Sequence, residues 1–168
     1  MRSLFLLLAC LLPAPAAAEV KSASAGSFSL EHRASVRLPP AELFARFGQI
    51  GSGWDPQHSY SGQAGNLTLE LKAGGCFCER LPNGGGIEHL RVVYVEPGKR
   101  IVLTGALGPL LFDAVHGVMD VQIRPSAAGS DLVLTYKAAG FAGGGADKVA
   151  PAVDRVLGEQ VRRLATLR

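Results

Sequence analysis

The chain predicts an α+β protein in which a curved antiparallel sheet is covered by one long C-terminal helix. Three observations carry this. Apolar and polar residues alternate from Phe28 to Leu38. Short strand-like runs with turn signals between them fill Leu67 to Ala139. An apolar stripe stepping by three and four then runs from Val149 to Leu164. A period of two marks a half-buried strand, and a period near 3.6 marks one face of a helix.

Met1-Arg2-Ser3 is a short basic start, Leu4 to Leu12 is apolar, and Pro13 to Ala18 supplies small residues ending Ala16-Ala17-Ala18. This is the pattern of a secretory signal cut after Ala18. The run falls short of the roughly 20 apolar residues that span a bilayer. A buried N-terminal helix is one alternative reading. Leu7-Leu8-Ala9-Cys10 offers another, lipidation at Cys10, but only six apolar residues precede that cysteine. The expectation is therefore an exported chain, periplasmic or secreted in a bacterium. Residues 19–27 would be a loose lead-in and 28–168 the folded domain.

Removing residues 1–18 takes away one charge, Arg2, and leaves +2 from +3 over 150 residues. No Lys/Arg cluster lies along one element, so nucleic acid is not expected as a partner. At 48% hydrophobic and 18% charged residues, the composition is that of a globular protein. A core of this size forms without disulfides.

After the strand from Phe28, Pro39-Pro40 turns the chain into a helix from Ala41 to Phe47, closed by Gly48, Gly51 and Gly53. Trp54 to Gly65 reads as a loop. Strands are expected at Leu67–Leu71, Cys76–Leu81, Ile87–Glu96, Arg100–Gly105, Val115–Arg124 and Leu132–Ala139. Gly140 to Gly145 is a hinge before the last helix, expected from about Lys148 to Leu167 with Asp147 as its N-cap. Its face would be Val149, Val153, Val156, Leu157, Val161 and Leu164. An antiparallel sheet cannot fill its own concave face, so this helix must cover it and a cavity lies between the two.

The order strand, helix, many strands, long helix resembles the helix-grip, or START-like, superfamily known as SRPBCC. Local runs resemble it too: Leu38-Pro39-Pro40-Ala41-Glu42-Leu43-Phe44, Gly74 to Glu79, His89 to Pro97, and Leu103 to Leu110. The segment WDPQHSYSG from Trp54 is similar to the Trp-rich segment of the branch named after the heat-shock ATPase activator. The resemblance implies an internal pocket for lipids, sterols or polyketides, a cyclase-like enzyme, or a protein-partner module. Fold does not decide among these. Gly143 to Lys148 lacks the spacing and Ser/Thr of a phosphate loop, and no cofactor is expected.

Strand period assigns the inward face. Val93 and Val95 should point into the core, and His89 and Arg91 share their parity. Phe77 should face in with Glu79, and His32 falls in the apolar set of the first strand. The expected pocket comprises His32, Trp54, Phe77, Glu79, His89, Arg91, Val93, Val153 and Leu157. Trp54, His58 and Tyr60 lie in the loop after the first helix; Trp54 suits a core plug, or the loop suits a pocket lid. Buried charges need partners, so Glu79 should contact His89 or Arg91. Such a pair could fix sheet register, orient a ligand head group, or act in acid–base catalysis, with Glu79 and His89 as the candidates.

Cys76 and Cys78 share a face, by this parity the outer one. Extended geometry puts their Cα atoms about 6.5–7 Å apart, at or beyond the usual disulfide limit. They are expected to be unpaired or held in a strained disulfide, unless a bulge near Gly74-Gly75 shortens the span. Metal is not expected, because inward His89 and outward cysteines would have to converge and a second Cys pair is lacking.

The function expected is an exported binding protein for a hydrophobic small molecule or lipid. The alternatives are a cyclase- or hydrolase-type enzyme using Glu79 and His89, and an envelope protein-partner module. Oligomeric state is left open.

Overall fold

The computed structural model describes residues 17–166. Eight antiparallel strands form one curved, unclosed sheet. They are β1 (Ala17–Ala23), β2 (Ser27–Val36), β3 (Leu67–Leu69), β4 (Cys76–Arg80), β5 (Gly86–Glu96), β6 (Arg100–Gly105), β7 (His116–Ser126) and β8 (Gly129–Ala139). Their order is β1-β2-β8-β7-β6-β5-β4-β3. From β3 to β8 the chain meanders strand by strand. The β1–β2 hairpin then pairs with β8 at the far side. The connection from β2 to β3 crosses the sheet through α1 (Pro40–Gly48) and the short α2 (Ile50–Gly53). The final helix, α3 (Ala146–Thr166), packs on β1 and β2. This is the α+β helix-grip arrangement expected.

Residues 19–27 are not a loose lead-in. β1 pairs with β2 from Ala17↔Arg33 to Ala23↔Phe28, so most of this segment is an edge strand. The signal segment itself lies mostly outside the described residues, in 1–16. Cleavage after Ala18 would leave Glu19 to Ala23 still paired through Glu19↔Glu31, Val20↔Leu30, Ser22↔Ser29 and Ala23↔Phe28. No described helix is long and apolar enough to cross a membrane.

The helix begins at Ala146, and Asp147 lies in its first turn instead of capping it. An acidic residue there still favours the positive end of the helix. The expected face divides in two. Leu157 and Val161 are buried in the core, with Ala146 and Ala150 beside them. Val149, Val153, Val156 and Leu164 are only partly buried. The sheet supplies the rest of the core through Leu30, Phe77, Leu90, Ile101, Leu103, Leu132 and Tyr136.

Tyr136 shows how the core sets a loop. Its ring packs edge-on to Phe28, with centroids 6.0 Å apart, and its hydroxyl accepts the Leu107 N–H at 3.2 Å. A Cβ on Gly117 would lie 2.5 Å from that hydroxyl, so only glycine fits opposite the ring. Burial pushes the Tyr136 phenol above its ordinary value. The Leu107 bond fixes the start of the turn at Gly108–Asp113, which forms one wall of the site described next.

Candidate functional site

Two cavities lie between the sheet and α3. The inner one, about 40 Å³, is lined by Phe47, Trp54, Phe77, Leu103, Leu157 and Val161 among others. It has room for little more than water and is in effect packed core. The outer one, about 380 Å³, is walled by Val149, Val153 and Val156 of α3, by Leu107 to Leu110, and by Trp54 and the loop to Tyr60, with His89 from the sheet. That falls within the roughly 300–1,000 Å³ of small-molecule pockets. Tyr60 lines this cavity and is also 43% exposed, so the cavity reaches the surface beside it. Phe112, 74% exposed, has its ring centroid 6.5 Å from that of Tyr60.

The loop wall is anchored on both sides. Trp54 is buried against Phe77, with ring centroids 5.4 Å apart, and its Nε1–H donates to the His58 carbonyl at 2.8 Å. Asp55 accepts the Gln57 N–H at 2.9 Å and the Arg163 guanidinium at 3.0 Å. Its own N–H donates to Gln160 Oε1 at 3.1 Å. At the loop's other end, the N–H groups of Tyr60 and Ser61 donate to Glu79 Oε2 at 3.1 Å and Oε1 at 2.6 Å. The loop is thereby tied to the helix at Asp55 and to the sheet at Glu79. Trp54 is both plug and wall.

Glu79 is 1% exposed and also meets His89 Nε2 at 3.1 Å from Oε2. Burial alone would raise its carboxyl. The bonds from Ser61, Tyr60 and His89 outweigh that and hold it below the usual carboxylate range. Glu79 is therefore ionised at neutral pH, and the hydrogen on the neutral imidazole is drawn to Nε2. His89 is 5% exposed, and desolvation lowers its imidazole below the ordinary value despite the opposing pull of Glu79. Its ring lies between Phe77 and Tyr60, with centroids 5.0 and 6.0 Å away. Its Nδ1 is buried and has no hydrogen-bond partner among the described residues.

Four of the nine expected pocket residues stand elsewhere. Arg91 and Val93 face outward. Arg91 pairs with Glu88 and donates to the Gly74 carbonyl at 2.7 Å, and Val93 is 53% exposed. The reason is two single-residue bulges in β5. His89 is extra between the partners of Phe77 and Cys78, and Val93 is extra between the partners of Leu103 and Val102. Glu79 therefore pairs with His89 and not with Arg91. His32 is buried under α3, its Nε2 3.2 Å from Asp154 Oδ1, and lines neither cavity. Desolvation lowers the His32 imidazole against the pull of Asp154. Glu79 sits behind His89 and is not itself in either lining. Phe77 and Leu157 line the inner cavity, Val153 and His89 the outer one, and Trp54 both.

Cys76 and Cys78 form a disulfide with Cα atoms 5.3 Å apart, closer than an extended strand allows. The contraction falls at Phe77, where β5 carries its extra residue, and not at Gly74-Gly75. Glu88 lies near both sulfurs, but they are bonded to each other and offer no thiolate. The loop weighed as a lid does bring His58 and Tyr60 to the outer cavity, whereas sequence reasoning missed the Leu107–Leu110 wall and the Asp55–Gln160 and Asp55–Arg163 ties. The apolar run Leu110-Leu111-Phe112, of which Leu110 is buried and the other two are exposed, was the available signal for that wall.

No protein-family model matches the chain, and neither does any curated protein. Solved structures do match. A structural-genomics protein from Rhodobacter sphaeroides is 20% identical with a TM-score of 0.58, covering 89% of this chain and 95% of its own. One from Rhizobium loti is 19% identical with a TM-score of 0.58, covering 90% and 98%. One from Chromobacterium violaceum is 15% identical with a TM-score of 0.57, covering 83% and 96%. At these identities the likeness carries the fold alone, and it agrees with the helix-grip arrangement.

Proposed function

We propose that this chain is an exported binding protein for a hydrophobic small molecule, held in the outer cavity. The observation that carries the reading is the cavity of about 380 Å³ walled by Val149, Val153, Val156, Leu107 and Leu110. Apolar walls of this size gain affinity by burying ligand surface, at about 25 cal/mol per Å². The loop ties at Asp55 and Glu79 support a preformed site, which lowers the ordering cost of binding. Export rests on the N-terminal signal pattern. Membership of the branch named after the heat-shock ATPase activator rests on the segment from Trp54 to Gly62.

The test is titration with Nile red, an uncharged dye that brightens in apolar surroundings. Saturable binding by the wild type, weakened in a folded Val153→Trp variant that narrows the cavity, supports the reading. Equal binding by both proteins overturns it. The Glu79–His89 pair favours a second reading, a cyclase- or hydrolase-type enzyme that uses these two residues in acid–base catalysis. A bound molecule whose mass changes on incubation with wild type, but not with His89→Phe, would select that reading.

A further inference from the structure

We propose that the Cys76–Cys78 disulfide is a thiol–disulfide exchange site that oxidises a dithiol on the open face of the sheet, with Cys78 as the sulfur attacked and Cys76 as the leaving thiolate. The site is separate from the cavity and does not depend on the binding reading. The bond joins residues two apart on one strand. A disulfide stabilises a fold by closing a loop, and the gain grows with loop length. This bond therefore holds little that the pairing of β4 with β3 and β5 does not hold already. Its surroundings are open. Cys76 and Cys78 are half-buried, while Thr68 and Glu88, the neighbours of Cys78 in β3 and β5, are exposed, as is Arg91 opposite Cys76. Disulfides in accessible positions are the ones that exchange.

The two sulfurs are not equivalent. The bulge at His89 sets Glu88 opposite Cys78 and Arg91 opposite Cys76. A Glu88 carboxylate oxygen lies within 4.8 Å of both sulfurs, and the Arg91 guanidinium takes up its charge, with Nε–H donating to Oε1 at 3.0 Å. A bond from Arg91 Nη1 to the Gly74 carbonyl at 2.7 Å fixes the guanidinium in place. Glu70 also acts on Arg91, and its own charge is met by Lys72 at 3.4 Å. A cation beside a thiol favours the thiolate, a carboxylate disfavours it, and the more acidic thiol leaves faster. Cys76, opposite Arg91, is thus the leaving group. An incoming thiolate bonds to Cys78 Sγ, the Sγ–Sγ bond breaks, and its electron pair leaves on Cys76, which is then protonated. The second thiolate of the same dithiol attacks its own sulfur in the mixed disulfide, and Cys78 leaves as a thiolate and is protonated in turn. The dithiol is oxidised to a disulfide, and the cysteine pair gains the electrons and protons it loses.

The experiment incubates the folded, oxidised chain under argon with a synthetic peptide carrying two cysteines, and follows both by alkylation mass spectrometry. The expected result is one peptide disulfide formed for each chain reduced, faster than glutathione disulfide oxidises the same peptide at equal concentration. In a second arm, reduced glutathione quenched in acid should be trapped on Cys78 and not on Cys76. This arm assigns the leaving group in wild type and needs no variant. Arg91→Gln should slow peptide oxidation about threefold, a shift of about one unit in the Cys76 thiol read through a Brønsted slope near 0.5, and should spread glutathione over both cysteines. A disulfide that persists in the presence of the peptide, or reacts more slowly than glutathione disulfide, overturns the exchange site. Glutathione trapped on Cys76, or an Arg91→Gln rate equal to that of wild type, overturns the roles assigned to the two sulfurs.

Discussion

Replacing Glu79 by Gln tests the tie between loop and sheet. The carboxylate accepts three hydrogen bonds: Ser61 N–H on Oε1, and Tyr60 N–H and His89 on Oε2. An amide has one oxygen. Its best orientation keeps that oxygen toward Tyr60 and His89 and turns its NH₂ group onto the Ser61 N–H. One charge-assisted bond is lost outright, worth about 1.5–3 kcal/mol, and two others become neutral. The expected destabilisation is about 2–4 kcal/mol, out of a typical total of 5–15. Urea denaturation at pH 7 measures it. The Glu79 carboxyl titrates lower in the folded than in the unfolded chain. The unfolded state therefore binds more protons as pH falls, and the stability from Glu79 is present above the ordinary carboxylate value of about 4.3 and lost below it. The gap between wild type and Glu79→Gln should accordingly be full at pH 7, with the part due to Glu79 closing only in strong acid. A Glu79→Gln protein within about 0.5 kcal/mol of wild type at pH 7, the range of an ordinary surface change, would refute the reasoning.

The two parts of α3 should respond differently to truncation. Leu157→Ala, in the core, should cost about 2–5 kcal/mol, and Val153→Ala, in the cavity wall, about 1 kcal/mol or less; denaturant midpoints compare them. His32 and His89 both titrate below the ordinary imidazole value in the folded chain. Their contribution to stability is present above about pH 6.5 and is lost as pH falls through the folded values, so the melting temperature should decline on mild acidification before any carboxylate titrates. His32→Asn and His89→Asn should each flatten that decline. On the export proposal, the chain expressed in a bacterium and recovered from the periplasm without reductant should start at Glu19 and show no free thiol by alkylation mass spectrometry until a dithiol reductant is added. Two free thiols beforehand would contradict the Cys76–Cys78 bond.

The sequence-legible part of the fold is the part written in side-chain period. Alternation located β2, β3 and β6 to within a few residues, and the three-four step located α3. β1 was missed because Ala17 to Ala23 is small and polar, with Val20 as its one large apolar residue and no alternation to read. In β5 the period assigned His89 correctly and Arg91 and Val93 incorrectly. Two bulges each shift parity by one, so they cancel beyond the pair and mislead only between them. The cysteine pair stayed open between free thiols and a disulfide for the same reason, since ideal strand spacing is too long for the bond and the strand contracts at this point. The Glu79–His89 pair was legible as one of two economical partners for a buried carboxylate. What fixes Glu79 from behind was not, because backbone N–H groups of a loop leave no residue-type signature. Nor could the sequence divide the α3 stripe into core and cavity wall, because valine serves both.

Native mass spectrometry of the mature chain as purified tests the central claim most directly. The binding reading predicts a peak above the polypeptide mass by one small apolar molecule, released on activation and absent or much reduced in Val153→Trp. A chain that carries no such molecule and takes up none from a lipid extract of its host, or an adduct retained equally by Val153→Trp, would contradict it.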